Sequence, residues 1–137
     1  MSQRTTLRPQ SVIPSAQAVP ASTGSMAASI TSAPTLLQSL TMVNYEVTWA
    51  GSSPVGTISV EASNDCVVSA DGGVTGGTWV PIPLDLSGVE VTAIPLSGNS
   101  GSGMIDIDGL GAYACRLVYT RSSGTGTLAV TVVGKVK

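Results

Sequence analysis

At 137 residues with a hydrophobic fraction of 42%, the chain is long enough for one domain around one core and too short for two ordinary ones. Only 10% of its residues are charged, the formal net charge is -2 and histidine is absent, which removes imidazole catalysis and metal ligation and leaves no clustered basic surface for nucleic acid. No run approaches the roughly 18 apolar residues of a membrane span, and the N-terminus lacks the compact apolar run of a secretory signal. The chain is therefore expected to be made and used without export, with neither nucleic acid nor membrane as a partner.

Residues 1–35 are rich in Ser, Thr, Ala, Pro and Gly, with Pro9, Pro14, Pro20 and Pro34 spaced along them. Prolines at such intervals forbid a sustained helix and a central strand, so the segment is expected to be an extended arm. Arg4 and Arg8 are its only charges, whereas residues 36–137 carry four bases and eight acids. Single apolar residues, Leu7, Val12, Ile13, Val19 and Ile30, recur along the arm and are candidate anchors, because an extended segment can order against a partner and wrap its surface. The competing reading is a plain solvated tail.

From Thr35 onward the text changes to short β-type runs between Gly, Pro, Ser and Asn, with no apolar stripe of helical period. "PTLLQSL" is a candidate first strand. "VNYEVTW" places Val43, Tyr45, Val47 and Trp49 on one face and Asn44, Glu46 and Thr48 on the other. "AGSSPVG" reads as a loop and "TISVEAS" as the returning strand of a hairpin. A Gly-rich connection over residues 64–77 precedes "TWVPIPL", whose Pro81 and Pro83 confine it to an edge or a bend. "GVEVTAIPL" and "GMIDIDGL" are further strands, and "RLVYT" and "TLAVTVV" read as a closing hairpin with its turn at residues 122–126. About eight short antiparallel strands at this spacing predict an all-β, jelly-roll-like β-sandwich over residues 36–137, with an up-and-down barrel as the alternative. With no Phe and 4% aromatic residues, its core is small, and association with neighbours would add stability.

No nucleophile has a histidine base, no Gly-x-Ser-x-Gly elbow occurs, and "DGGVTGG" and "GNSGSG" lack the Lys and the strand-to-helix setting of a phosphate cradle. Asp106 and Asp108 share a strand face about 7 Å apart. They read as the solvent side of a strand packed through Met104, Ile105 and Ile107, a shared calcium ion being the alternative. Tyr45, Trp49, Tyr113 and Tyr119 fall on apolar strand faces and are assigned to the core, which leaves Trp79 as the aromatic residue for a rim or an interface. Cys66 and Cys115 are read as buried free thiols, a disulfide between them being the alternative. No enzyme activity and no cofactor are expected.

The stretches "VNYEVTWAGSSPVGTISVEASND", "TWVPIP" and "YACRLVYTRSSGTGTLAVTVVGK" together resemble a β-sandwich pattern of structural proteins in tailed-bacteriophage virions. In that pattern a strand ending in Trp-x-Gly is followed by a Gly-Thr strand ending in Ser-Asn-Asp, and the chain closes through Arg-Leu-Val-Tyr-Thr and a Ser-Gly-x-Gly-Thr turn. The resemblance covers residues 36–137. It implies a capsid cement or decoration protein on the outer surface of an HK97-type head, made in the host cytoplasm, with the major capsid protein and further copies of itself as partners, a homodimer first and a trimer next. Arg4, Leu7, Arg8, Val12, Ile13, Val19, Ile30 and Trp79 are the partner-binding candidates. The alternative is a tail or fibre module that binds host carbohydrate through Trp79 and the loops at residues 64–77 and 97–103.

Overall fold

The computed structural model describes residues 6–11, 24–37, 40, 42–68 and 74–135. Their strands, in chain order, are β1 (Thr6–Ser11), β2 (Gly24–Ser25), β3 (Ile30–Thr31), β4 (Thr35–Leu36), β5 (Met42–Ser63), β6 (Val67–Val68), β7 (Val74–Thr75), β8 (Val80–Pro81), β9 (Leu84–Leu86), β10 (Val89–Val91), β11 (Ile94–Leu96), β12 (Ser100–Asp108) and β13 (Ala114–Lys135). The protein is all-β and antiparallel, with a sandwich-like arrangement.

Two of these strands are 22 residues long and pair with each other from end to end, Met42 opposite Lys135 and Ser63 opposite Ala114. A flat strand of that length would run roughly 70 Å, about twice the width of a compact domain of this size. The ribbon therefore folds over on itself. The fold lies where the sequence suggested two separate hairpin loops, which corrects both readings: "AGSSPVG" and "SSGTG" are bends within continuous strands, and they face each other. Gly51 lies opposite Gly126, Ser52 opposite Thr125 and Val55 opposite Ser123, with the register shifting on either side of Ser123.

The physical reason is close backbone approach. A Cβ on Gly51 would strike the Thr125 carbonyl and the Gly126 Cα, and a Cβ on Gly124, whose φ is 79°, would strike Ser53. Ser53 itself sits at φ 50°, a left-handed conformation uncommon for a residue with a side chain. Pro54 is fully buried at the bend.

Folding the ribbon creates two layers. In one, the sheet order is β1, β13, β5 and β12, built on the early half of β5 and the late half of β13. In the other, β3 and β4 border the early half of β13 while β11 and β8 border the late half of β5. The alternating faces meet between the layers. Val43, Tyr45, Val47, Leu128, Val130 and Val132 come from the first, and Ile58, Val60, Cys115, Leu117 and Tyr119 from the second.

The Tyr45 hydroxyl lies 3.1 Å from the Cys115 Sγ, a polar contact from one layer to the other inside an apolar core. The Tyr119 hydroxyl donates to the Val55 carbonyl at 3.2 Å, near the bend. Trp49 packs against the cluster, with its ring over Gly101. Two core assignments are corrected: Tyr113 precedes β13 and is 42% exposed, and Met104 is 68% exposed.

The described part of residues 1–35 lies along β13. β1 pairs with its late half, and β2, β3 and β4 follow it in short antiparallel contacts. Met26 is fully buried, and the Ser32 hydroxyl accepts the Leu117 amide at 2.9 Å while the Ser32 amide donates to the Leu117 carbonyl. β8 is a two-residue edge segment opposite Glu61 and Ala62, the edge position its Pro81 requires. β9 and β10 form a small hairpin on a Ser87-Gly88 turn with both residues at positive φ, the combination a two-residue hairpin favours.

Gly124→Ala is expected to destabilise the domain by roughly 1–3 kcal/mol, through positive-φ strain and the contact with Ser53. Gly111→Ala, where an added Cβ meets nothing within 4 Å, should change stability by less than about 0.5 kcal/mol. Urea unfolding of the two variants checks the difference.

Candidate interaction surface

The polar side chains that the sandwich organises most closely lie at one end of the second layer, where β5 finishes, β13 starts and residues 76–79 lie. Pairing of Glu61 with Arg116 across the two long strands places their side chains together on the outer face. Both Nε and Nη2 of Arg116 donate to the Glu61 Oε1, at 3.0 and 2.8 Å. The Arg116 guanidinium also lies over the Trp79 ring, 4.2 Å from its centroid, and the Trp79 Nε1 donates to the Gly76 carbonyl at 2.9 Å. Carboxylate, guanidinium and indole thus form a stack whose charge is shared and whose ring is held at both its edge and its face.

Asp65 holds the neighbouring loop. Its carboxylate accepts the Thr78 amide at 2.7 Å, the Ser63 hydroxyl at 3.0 Å and the Thr78 hydroxyl at 3.1 Å. These bonds, the Thr78 amide first, pull its pKa below the ordinary 3.8. Asn64 completes the arrangement by accepting the Tyr113 amide at 3.0 Å. Between these groups lies a cleft of about 470 Å³ lined by Asn64, Asp65, Thr78, Val80 and Ala112. The exposed apolar residues of this end, Val67, Val80 and Tyr113, stand beside side chains already locked by hydrogen bonds. That combination gives a rigid, partly apolar surface suited to a protein contact.

The other candidates separate. Ile30 is half-buried against the core, opposite Tyr119. Leu7 and Arg8 lie on β1, where the Leu7 backbone faces Gly134. Arg4, Val12, Ile13 and Val19 lie outside the described residues. Trp79 is half-buried, and the face of its ring under Arg116 is closed to a stacking sugar. Asp106 and Asp108 are on the solvent side of β12, and the Asp106 Oδ1 accepts from the Asn44 Nδ2 at 3.3 Å. Among the described residues no three His, Cys, Asp or Glu side chains are grouped to hold a metal ion.

Sequence reasoning missed Arg116 as the partner of Trp79 and Glu61 as the partner of Arg116, and it missed the exposure of Tyr113. The period-two pattern shows that Arg116 faces outward, but the register that sets it opposite Glu61 spans 55 residues. No local signal carries it.

Both cysteines are free and buried, as the sequence reading had them. Burial pushes the Cys115 thiol up, and burial followed by the neighbouring Cys115 pushes the Tyr45 hydroxyl up. Both groups are neutral in the core at physiological pH, which makes the pair a packing contact.

No protein-family model matches the chain, and no curated protein matches it. Among solved structures, the crystal structure of the SPBc2 prophage-derived protein YomS is similar, with a TM-score of 0.54 over 97% of this chain and 96% of that one at 12% identity. At that identity the likeness is one of fold.

The Asp65 carboxylate has a lowered folded-state pKa, so its contribution is complete above about pH 3.8 and fades as pH falls through the lower folded value. The protection factor of the Thr78 amide, its exchange rate relative to an unstructured amide at the same pH, is expected to fall below that pH and to stay level near neutrality, and Asp65→Asn should abolish the acid-dependent step. For Cys115, labelling by a thiol reagent in native buffer should proceed at the rate of unfolding, because only the opened protein presents the thiolate. Labelling in urea should be immediate.

Proposed function

We propose that this chain is a structural protein of a tailed-bacteriophage particle, a cement or decoration protein that binds the outside of an HK97-type head and clamps neighbouring major capsid subunits. The observation that carries the reading is the fold likeness to a prophage-derived protein over almost the whole of both chains. The phage virion pattern in residues 36–137 supports it from the sequence side.

The physics of the role suits the surface described above. A shell presents the same site many times, so contacts that are weak singly hold firmly when copies cooperate across the lattice. Such contacts need a surface that does not reorganise on binding, since ordering side chains costs affinity. The Glu61–Arg116–Trp79 stack and the Asp65 loop provide that rigidity. Val67, Val80 and Tyr113 provide apolar area, and acidic residues outnumber basic ones over residues 36–137. No bond is made or broken in this role, and the protein acts by holding subunits of the major capsid protein against internal pressure. Arg4, Arg8 and the apolar residues of the arm would extend the contact to an adjoining subunit.

The direct test adds purified protein to expanded heads lacking it and counts copies by cryo-electron microscopy. Hundreds of copies distributed over the head are expected; a handful at one vertex, or none, would overturn the proposal. Val80→Asp and Tyr113→Ala are each expected to weaken head binding about tenfold, the order of loss for an interface aromatic or a buried charge. The melting temperature should stay close to that of the parent, because both residues are exposed.

A further inference from the structure

β12 is nine residues long and pairs with β5 along one side. Among the described residues no strand pairs along its other side. Edges of this length are ordinarily blunted by proline, charged side chains, a bulge or brevity. In "SGSGMIDID" the charges of Asp106 and Asp108 at one end are the one such device, and the register with β5 runs without interruption from Ser100 to Asp108. At its centre Met104 projects outward and is 68% exposed, more than any other large apolar residue among those described. A strand side that no described strand occupies, with an exposed Met at its midpoint, invites a further strand.

The sequence of the edge indicates which strand. When two copies of β12 are laid antiparallel about a two-fold axis through Met104, all nine residues pair. Met104 meets its own counterpart, Ser102 meets Asp106 and Ser100 meets Asp108 on the outer face. On the inner face Gly103 meets Ile105 and Gly101 meets Ile107. Apart from Met104, which packs on its own counterpart, every large or charged residue is opposed by a small one, and no carboxylate faces another. The space beside Gly103 is vacant, with nothing within 4 Å of where its Cβ would be, so the Ile105 of a second copy has room there. Beside Gly101 the Trp49 ring already lies over the strand, presenting an apolar surface to an incoming Ile107. Neighbouring registers shorten the pairing: an axis through Gly103 or Ile105 pairs seven residues, and one through Asp106 sets Asp106 on Asp106 and pairs five, so only the two-fold through Met104 pairs all nine.

We propose that a second copy of this chain docks on the free edge of β12, forming a two-fold dimer in which the sheets of two sandwiches become continuous. The inference stands apart from the phage reading, since it rests on the edge and its self-complementary text alone. Three consequences follow from the geometry. The wild-type protein sediments as a dimer. Ser102→Asp sets a carboxylate against Asp106 of the other copy twice per dimer and weakens association about tenfold, with the melting profile of the monomeric fold retained because Ser102 is exposed. Met104→Cys forms an interchain disulfide under mild oxidation, because directly opposed Cβ atoms lie about 4.5–5.5 Å apart and a small shift brings them into bonding range. Ser102→Cys, roughly 13 Å from its counterpart along the strand, does not. Sedimentation velocity and non-reducing electrophoresis read these outcomes. A protein that stays monomeric at its highest soluble concentration, a dimer indifferent to Ser102→Asp, or a dimer in which Met104→Cys fails to cross-link would each overturn the proposal.

Discussion

The end-to-end pairing of β5 with β13 is the constraint on which the rest of the molecule depends. Once two strands of this length are zipped together, the ribbon is too long for a domain of the chain's size, and folding it in the middle is the way both apolar faces leave water. The crease needs two backbones to approach where side chains would collide. Gly51 and Gly126 meet there, with Gly124 taking the positive φ beside Ser53. Seven of the other strands are subordinate: β1 to β4 follow β13, while β8, β11 and β12 follow β5; β6 with β7 and β9 with β10 pair as separate hairpins.

This arrangement also explains how a core without phenylalanine can close. Each layer contributes a β-branched or leucine-rich face, and the two large fillers, Tyr45 and Tyr119, come one from each layer. A buried tyrosine needs a partner for its hydroxyl. Tyr45 finds the Cys115 Sγ of the opposite layer, and Tyr119 finds the Val55 carbonyl near the crease. The polar ends of these side chains therefore mark where the layers meet and where they fold.

Function follows from what the crease leaves outside. Because the two long strands occupy the centre, the sandwich exposes an edge in one layer, β12, and a rigid end in the other, around Trp79 and Asp65. The edge is self-complementary in sequence, whereas the end is apolar beside locked polar groups. On the proposed reading, the edge takes a second copy and the end takes a different subunit, the two contacts that a component of a repeating assembly requires.

The all-β class and the inward faces of the strands were legible in the sequence, because period-two alternation is a local property: Val43, Tyr45 and Val47 face inward in the structure as the pattern predicts. The buried free cysteines and the edge position of the proline-containing Pro81 strand were legible for the same reason. What only the tertiary structure decided was continuity. Glycine and serine permit a chain reversal and a close approach of two strands equally well, so "AGSSPVG" and "SSGTG" could not say locally which they served. The answer came from partners about 70 residues away. The exposure of Met104 and Tyr113 and the meeting of Arg116 with Glu61 and Trp79 were settled by the same long-range register. Alternation assigns a side chain to a face of its strand, and only the packing of the layers determines whether that face meets protein or water.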